Sequence, residues 1–175
     1  MSERRPDFIV LTKHRDLVAR RNEVWVRRGL LALLAAIPVV ALFNVFGQRP
    51  WTSTAATPGA RLSVYTSDHL RGGLLYGARF HVQALRDLKD ARLVLDSGWL
   101  EGMQVNTIEP SPIGEASSNG RLSLDLGHIP AGQKHLLFMQ FQVDPTNVGH
   151  RSRDVSLFDG ERRLLTVHRS VTIYP

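Results

Sequence analysis

The sequence predicts a mainly β protein, an antiparallel β-sandwich of about seven or eight strands preceded by one transmembrane α-helix. Three observations predict it. Residues 29–48 form an unbroken run without a charge. Residues 61–175 alternate apolar and polar side chains with period two, again and again, between turn-forming residues. The spacing between those runs leaves little room for a crossover helix, which argues against a parallel α/β sheet.

The chain has 175 residues, enough for one ordinary domain plus an appended segment. It contains no cysteine, which removes disulfides, thiolate metal sites and a cysteine nucleophile from consideration. Net charge is +6, and residues 1–28 carry most of it, with eight basic against four acidic residues. The remainder is nearly balanced, with no basic cluster interleaved with aromatics, so nucleic acid is not an expected partner. Arg outnumbers Lys 19 to 3, a bias associated with GC-rich bacterial genomes.

In residues 1–28, Val10, Leu11, Leu17, Val18, Val24 and Trp25 recur at a seven-residue spacing, interrupted by His14 and Arg21. This basic tail reads as an amphipathic helix on the inner leaflet, a short pairing helix, or a half-ordered topogenic segment. The run from Gly29 to Gln48 has 20 uncharged residues. At about 1.5 Å per residue it reaches about 30 Å, the thickness of a bilayer's hydrocarbon core. Pro38 sits mid-span, where membrane helices tolerate a kink, and Asn44 lies near the outer end. Trp25 and Trp51 bracket the run where indoles favour the interface. Arg27 and Arg28 stand on one side and Arg49 on the other, so the positive-inside rule places the N-terminus in the cytoplasm and the C-terminal domain outside. A cleaved export signal ending near Ala55 is the competing reading, and the run exceeds the usual signal-peptide core. Residues 49–60, rich in Thr, Ala, Pro and Gly, read as a linker.

Beyond it the strands follow one another. Leu62 and Val64 alternate first, then Phe80, Val82 and Ala84, then Ala91, Leu93 and Leu95. A short run holds Val105 and Thr107; Leu122, Leu124 and Leu126 follow an Asn119-Gly120 turn. Leu137 to Val143 form a long strand, and Val155 and Leu157 lead through Asp159-Gly160 to Leu165 and Val167. Val171 and Ile173 close the chain. Strands at this spacing, over residues 61–175, point to an immunoglobulin-like sandwich lacking the antibody-type cysteine pair. Trp99, after the third strand, is placed to plug its core, the alternative being an exposed ring that stacks on a ligand.

From Tyr76 to Val143 the order of segments is YGARFHVQAL, ARLVLDSGWLEGMQV and GRLSLDLGHIPAGQKHLLFMQFQV. It resembles bacterial extracellular immunoglobulin-like sandwich repeat domains of unknown function, in which a leucine–glycine–x–leucine/isoleucine–x–alanine–glycine element precedes a long strand. Here that element is Leu126-Gly127-His128-Ile129-Pro130-Ala131-Gly132, in a single copy. The resemblance implies a spacer or interaction module, and a sandwich by itself does not choose its task.

Catalytic chemistry has little to stand on. His69, His81, His128, His135, His150 and His168 form no i, i+4 pair or His-x-His doublet. No nucleophile elbow, phosphate-binding loop or dinucleotide fingerprint is present. Asp96 and Glu101 near Trp99 hint faintly at a sugar site, and Asp87 and Asp90 read as turn residues. Two loops are candidate interaction sites. Residues 109–119 offer Pro110, Pro112 and an exposed Ile113; residues 144–153 offer Arg151 and Arg153 for an acidic partner. The expectation is therefore a non-catalytic, single-pass cell-membrane protein with no cofactor, its outer domain an accessory or interaction module. Its partners would be the bilayer and another membrane or envelope protein, or a second copy. The alternative is an exported sandwich that binds a small ligand, metal or glycan.

Overall fold

A computed structural model describes residues 21–43 and 48–175, and the chain divides into two units, residues 1–45 and 46–175. In the first unit, helix α1 runs from Arg21 to Leu42 with Pro38 inside it. Its apolar side chains are 40–85% exposed all the way round, a surface that water does not favour. The stretch Val24–Leu42 is long and apolar enough to cross a membrane. Residues 21–28, expected in the tail, belong to this same helix. Asn44 and the seven-residue pattern of the first 20 residues lie outside the described residues.

The second unit is mainly β, as its alternation demands. Its strands are β1 (Pro50–Ala56), β2 (Ala60–Ser67), β3 (His69–Arg71), β4 (Leu75–Ala84), β5 (Leu88–Leu95), β6 (Met103–Glu109) and β7 (Gly114–Ser118). They continue as β8 (Arg121–Ile129), β9 (Lys134–Val143), β10 (Gly149–Ser152), β11 (Val155–Asp159), β12 (Arg162–Val167) and β13 (Ser170–Tyr174). Thirteen strands thus stand where seven or eight were expected. One five-stranded sheet has the order β1-β2-β4-β9-β6, the other β12-β11-β5-β8-β7, and β10-β13-β3 form a third, smaller sheet. Pairing is antiparallel except between β13 and β3.

Four of the additional strands are short and polar or small in composition: PWTSTAA, HLR, GEASS and GHRS. Three of them, β1, β7 and β10, are outermost in their sheets and bury little, so no apolar alternation marks them. The linker expected over residues 49–60 is corrected accordingly: Pro50–Ala56 pairs along its whole length with β2. Residues 144–153, expected as a loop, include β10, which pairs with β13.

The two larger sheets contribute their inward residues to one core. Leu62, Val64, Phe80, Leu137 and Phe141 come from the first sheet, and Leu93, Leu95, Leu124, Val155 and Leu157 from the second, all fully buried. Trp99, carried by a short 3₁₀ turn (Ser97–Trp99) after β5, tilts against Phe80 and Phe141 at centroid distances of 5.3 and 5.6 Å. Its indole N–H donates to the Arg153 carbonyl at 3.1 Å, so the large ring is buried without an orphan donor. Gly98 beside it is required by crowding: a Cβ there would meet the Ser152 carbonyl oxygen at 1.9 Å. The Asn119-Gly120 turn joins β7 to β8 with both residues at positive φ (52° and 74°), the type I′ geometry that suits strand twist.

Candidate functional site

The loop that carries Pro110, Pro112 and Ile113 connects β6, the last strand of one sheet, to β7, the last strand of the other. Both strands therefore have one side without a strand partner. Between them runs a cleft lined by Leu100, Val105, Ile108 and Leu122, with Asn106 and Glu115 at its margin. These four apolar side chains are only partly buried while packing on the core, so the interior reaches the surface here. β7 is built of Gly, Glu, Ala and two Ser, and four of its five residues are exposed, which leaves its backbone accessible. Ile113 is 76% exposed. Its amide donates to the Asp125 carbonyl at 2.8 Å, which fixes the chain just before β7. Pro110 is exposed and Pro112 half-buried. Unpaired edge amides beside a partly open apolar cleft can accept an extended segment as an added strand.

The second predicted loop has a different fate. Arg153 is 1% exposed and cannot meet a partner. Its guanidinium lies over the Trp99 ring at 4.6 Å and the Tyr76 ring at 4.8 Å. Nε donates to the Gly98 carbonyl at 3.3 Å and Nη2 to the Tyr76 hydroxyl, while Nη1 is buried without a hydrogen-bond partner. Desolvation holds the Arg153 pKa below its ordinary value, and burial pushes the Tyr76 phenol up to about 12. Arg151 turns back onto its own domain, donating to the Glu101 carbonyl at 2.6 Å. The expectation that this arginine pair faces an acidic partner is thus corrected: two aromatic faces and local carbonyls hold the guanidinium groups.

Trp51, expected as an interface anchor, lies in β1 opposite Thr66. Its indole N–H donates to the Asp68 carboxylate, and the Arg169 guanidinium lies 4.6 Å from its ring centroid. Arg169 went unremarked in the sequence, yet its side chain is 1% exposed and donates to Asp68 and to the carbonyls of Trp51, Val64 and Thr66. The residue type gave no hint, because its acceptors lie more than 100 residues away. In α1, Trp25 is 67% exposed with the Arg28 guanidinium 5.6 Å from its ring, and Arg27 is exposed beside it.

The acidic residues near Trp99 do not flank an open ring, because Trp99 is fully buried. Asp96 pairs with Arg121 at 2.9 Å and Glu101 with Arg151 at 3.7 Å. His128 contacts Asp87 and His168 contacts Asp154, each at 2.8 Å, and His150 contacts the Thr172 hydroxyl at 3.1 Å. His135 is half-buried at the start of β9, and desolvation lowers its pKa. Among the described residues no three His, Cys, Asp or Glu side chains gather as a metal-binding group.

No protein-family model matches the chain. No curated protein matches it. Among solved structures, it is similar to a FixG-related protein from Vibrio parahaemolyticus, at 14% identity and TM-score 0.38, covering 67% of this chain and 98% of that one. It is also similar to the CARDB domain of the PF1109 protein from Pyrococcus furiosus, solved with di-metal ions, at 13% identity and TM-score 0.38 over 69% and 98%. Spo0M, a sporulation control protein from Bacillus subtilis, matches at 13% identity and TM-score 0.39 over 68% of this chain and 51% of its own. The likeness is to β-rich bacterial and archaeal domains, and at these TM-scores it assigns neither a ligand nor an activity.

Proposed function

We propose that this chain is a single-pass membrane protein whose immunoglobulin-like sandwich, outside the cytoplasm, serves as a non-catalytic accessory module. The sandwich engages another membrane or envelope protein along its β6–β7 edge. That edge is the observation that carries the reading, because it joins unpaired backbone, a half-open apolar cleft and the exposed Ile113. The anchor is supported by the 19 residues Val24–Leu42, about 28 Å of helix with apolar side chains on every face. Arg27, Arg28 and the basic tail before them supply the inside-positive flank. Only seven residues, 43–49, separate α1 from β1.

The test is native mass spectrometry of the full-length chain extracted from its own membranes in mild detergent. The expected result is an intact 175-residue subunit within a larger assembly that Ile113→Asp dissolves. Ile113 is exposed, so the exchange spares the fold. A free species beginning near Ala56 would refute the anchor. An assembly that survives Ile113→Asp in full yield would move the contact away from this edge.

A further inference from the structure

A second surface, on the outer face of the β1-β2-β4-β9 part of the first sheet, has a different chemistry. Strand register aligns Thr52, Tyr65, Arg79 and Phe138 in one cross-strand row. The next outward row holds Thr54, Ser63, His81 and Leu136, and the third holds Ala56, Arg61, Gln83 and Lys134. These residues point outward because their neighbours along the central strands, Leu62, Val64, Phe80, Val82, Leu137 and Met139, are fully buried. The rows form a shallow groove to which Arg61, Arg79, His81 and Lys134 contribute and no Asp or Glu does.

Elsewhere on the domain cations find acids: Arg92 with Asp90, Arg121 with Asp96, Arg151 with Glu101 and Arg169 with Asp68. Arg61, Arg79 and Lys134 make no such pair among the described residues, so like charges stand on one face without neutralisation. The Arg79 guanidinium is supported 5.7 Å from the Tyr65 ring centroid, which limits its freedom before any ligand arrives. Apolar side chains are interleaved with the cations. Leu136 is 48% exposed directly opposite His81, and Leu75, on the same face of β4, is 51% exposed.

Cations alone would suit any anion. Cations set among exposed apolar side chains on one sheet face suit a lipid headgroup layer, where guanidinium groups meet phosphates and apolar tips reach the acyl boundary. We propose that this face docks on anionic phospholipid headgroups. The proposal rests on the sandwich alone and stands whether or not the β6–β7 edge binds a protein.

The test uses the full chain in nanodiscs of pure phosphatidylcholine or of phosphatidylcholine with phosphatidylglycerol. Because the chain has no cysteine, a single fluorophore can be placed at Gln83→Cys in the groove or, as a control, at Glu161→Cys on the β11–β12 turn. Quenching by headgroup-labelled lipid reports contact. Three cations near an anionic surface correspond to about a hundred-fold gain in the docked-to-free ratio, and quenching at residue 83 should rise accordingly only in the anionic discs. Half-molar salt should remove the gain, as should the combined exchange Arg61→Gln, Arg79→Gln and Lys134→Gln. All three side chains are exposed, and the salt titration on the unmutated chain tests the same point without altering the fold. Equal quenching in both discs would overturn the proposal, as would a gain that survives the triple exchange. Protection of residue 83 by soluble polyphosphate in neutral discs, with no gain from phosphatidylglycerol, would assign the groove to a soluble polyanion instead.

Discussion

Replacing Arg169 by alanine tests whether one buried cation holds β1 in the domain. β1 is an edge strand that buries little apolar surface of its own, with Ala55 its contribution against the core. The Arg169 side chain is 1% exposed and donates to the Trp51 carbonyl at 3.2 Å, the Val64 carbonyl at 2.8 Å and the Thr66 carbonyl at 3.0 Å. It also pairs with the Asp68 carboxylate and lies over the Trp51 ring. Removing one member of a buried pair costs about 3–5 kcal/mol. Asp68 is 24% exposed and can recover water, which lowers the cost, whereas the lost ring contact, worth about 0.5–2 kcal/mol, raises it. These contributions overlap, so the expected loss is about 3–4 kcal/mol. For a domain of this size that is a fall of about 10–16 °C in Tm. Arg169→Lys keeps the charge beside Asp68 but loses the planar fork, and should lose about half as much. Denaturant unfolding of the full chain gives the energy, and amide hydrogen exchange gives the place. The amides of Trp51–Ala56 should lose protection as a group while those of β9 keep theirs. A loss below about 1 kcal/mol, within the range of ordinary surface exchanges, would refute the clamp. So would β1 amides that remain as protected as those of β2.

Two further outcomes follow from the buried and titrating groups. Arg153→Ala should cost about 3–5 kcal/mol by opening a cavity between Trp99 and Tyr76, whereas Arg153→Met fills the slot without a desolvated charge and should cost less than about 1.5 kcal/mol or stabilise. Denaturation midpoints compare the two, and a Met variant as weak as the Ala variant would mean that the charge itself holds the core. His135 has a depressed pKa in the fold, so between that value and about 6.5 the unfolded chain binds more protons than the native one. The stability tied to its neutral form is therefore complete above about pH 6.5 and is lost as pH falls through the folded pKa. His135→Gln should flatten this part of the pH profile, measured as the difference between variant and parent midpoints at pH 7.5 and 5; an unchanged difference would refute the role of His135.

Much of the sandwich was legible because periodicity is a local signal. Leu62 and Val64, Phe80 and Val82, Leu93 and Leu95, and Leu137, Met139 and Phe141 alternate in sequence and are buried in the structure. The turn at Asn119-Gly120 was legible too, since positive φ selects residue type within two positions. The β6–β7 edge is half legible: the sequence marks Ile113 as an exposed apolar residue, but its pattern over residues 109–119 predicts loop where β7 stands. Its small and polar side chains satisfy an edge strand without announcing one.

By itself the sequence determined the apolar run that becomes α1, the inward face of each central strand, and an absence of cysteine chemistry. Each depends on composition or on neighbours within a few residues. Only the tertiary structure decided that the Thr- and Ala-rich stretch after Arg49 is strand β1: it pairs along its length with β2, and Arg169, 118 residues beyond Trp51, adds a hydrogen bond to the Trp51 carbonyl and lies over the Trp51 ring. It alone decided that Arg153 is buried and Arg151 folded back on its own domain, since the Tyr76 and Trp99 faces and the carbonyls of Gly98 and Glu101, some 50 residues away in the chain, replace the water a guanidinium loses. It also set Arg61, Arg79 and Lys134 on one face, a grouping made by register between β2, β4 and β9. A charge's neighbours along the chain reveal little of such places, because burial and pairing are settled by the strands that fold against it.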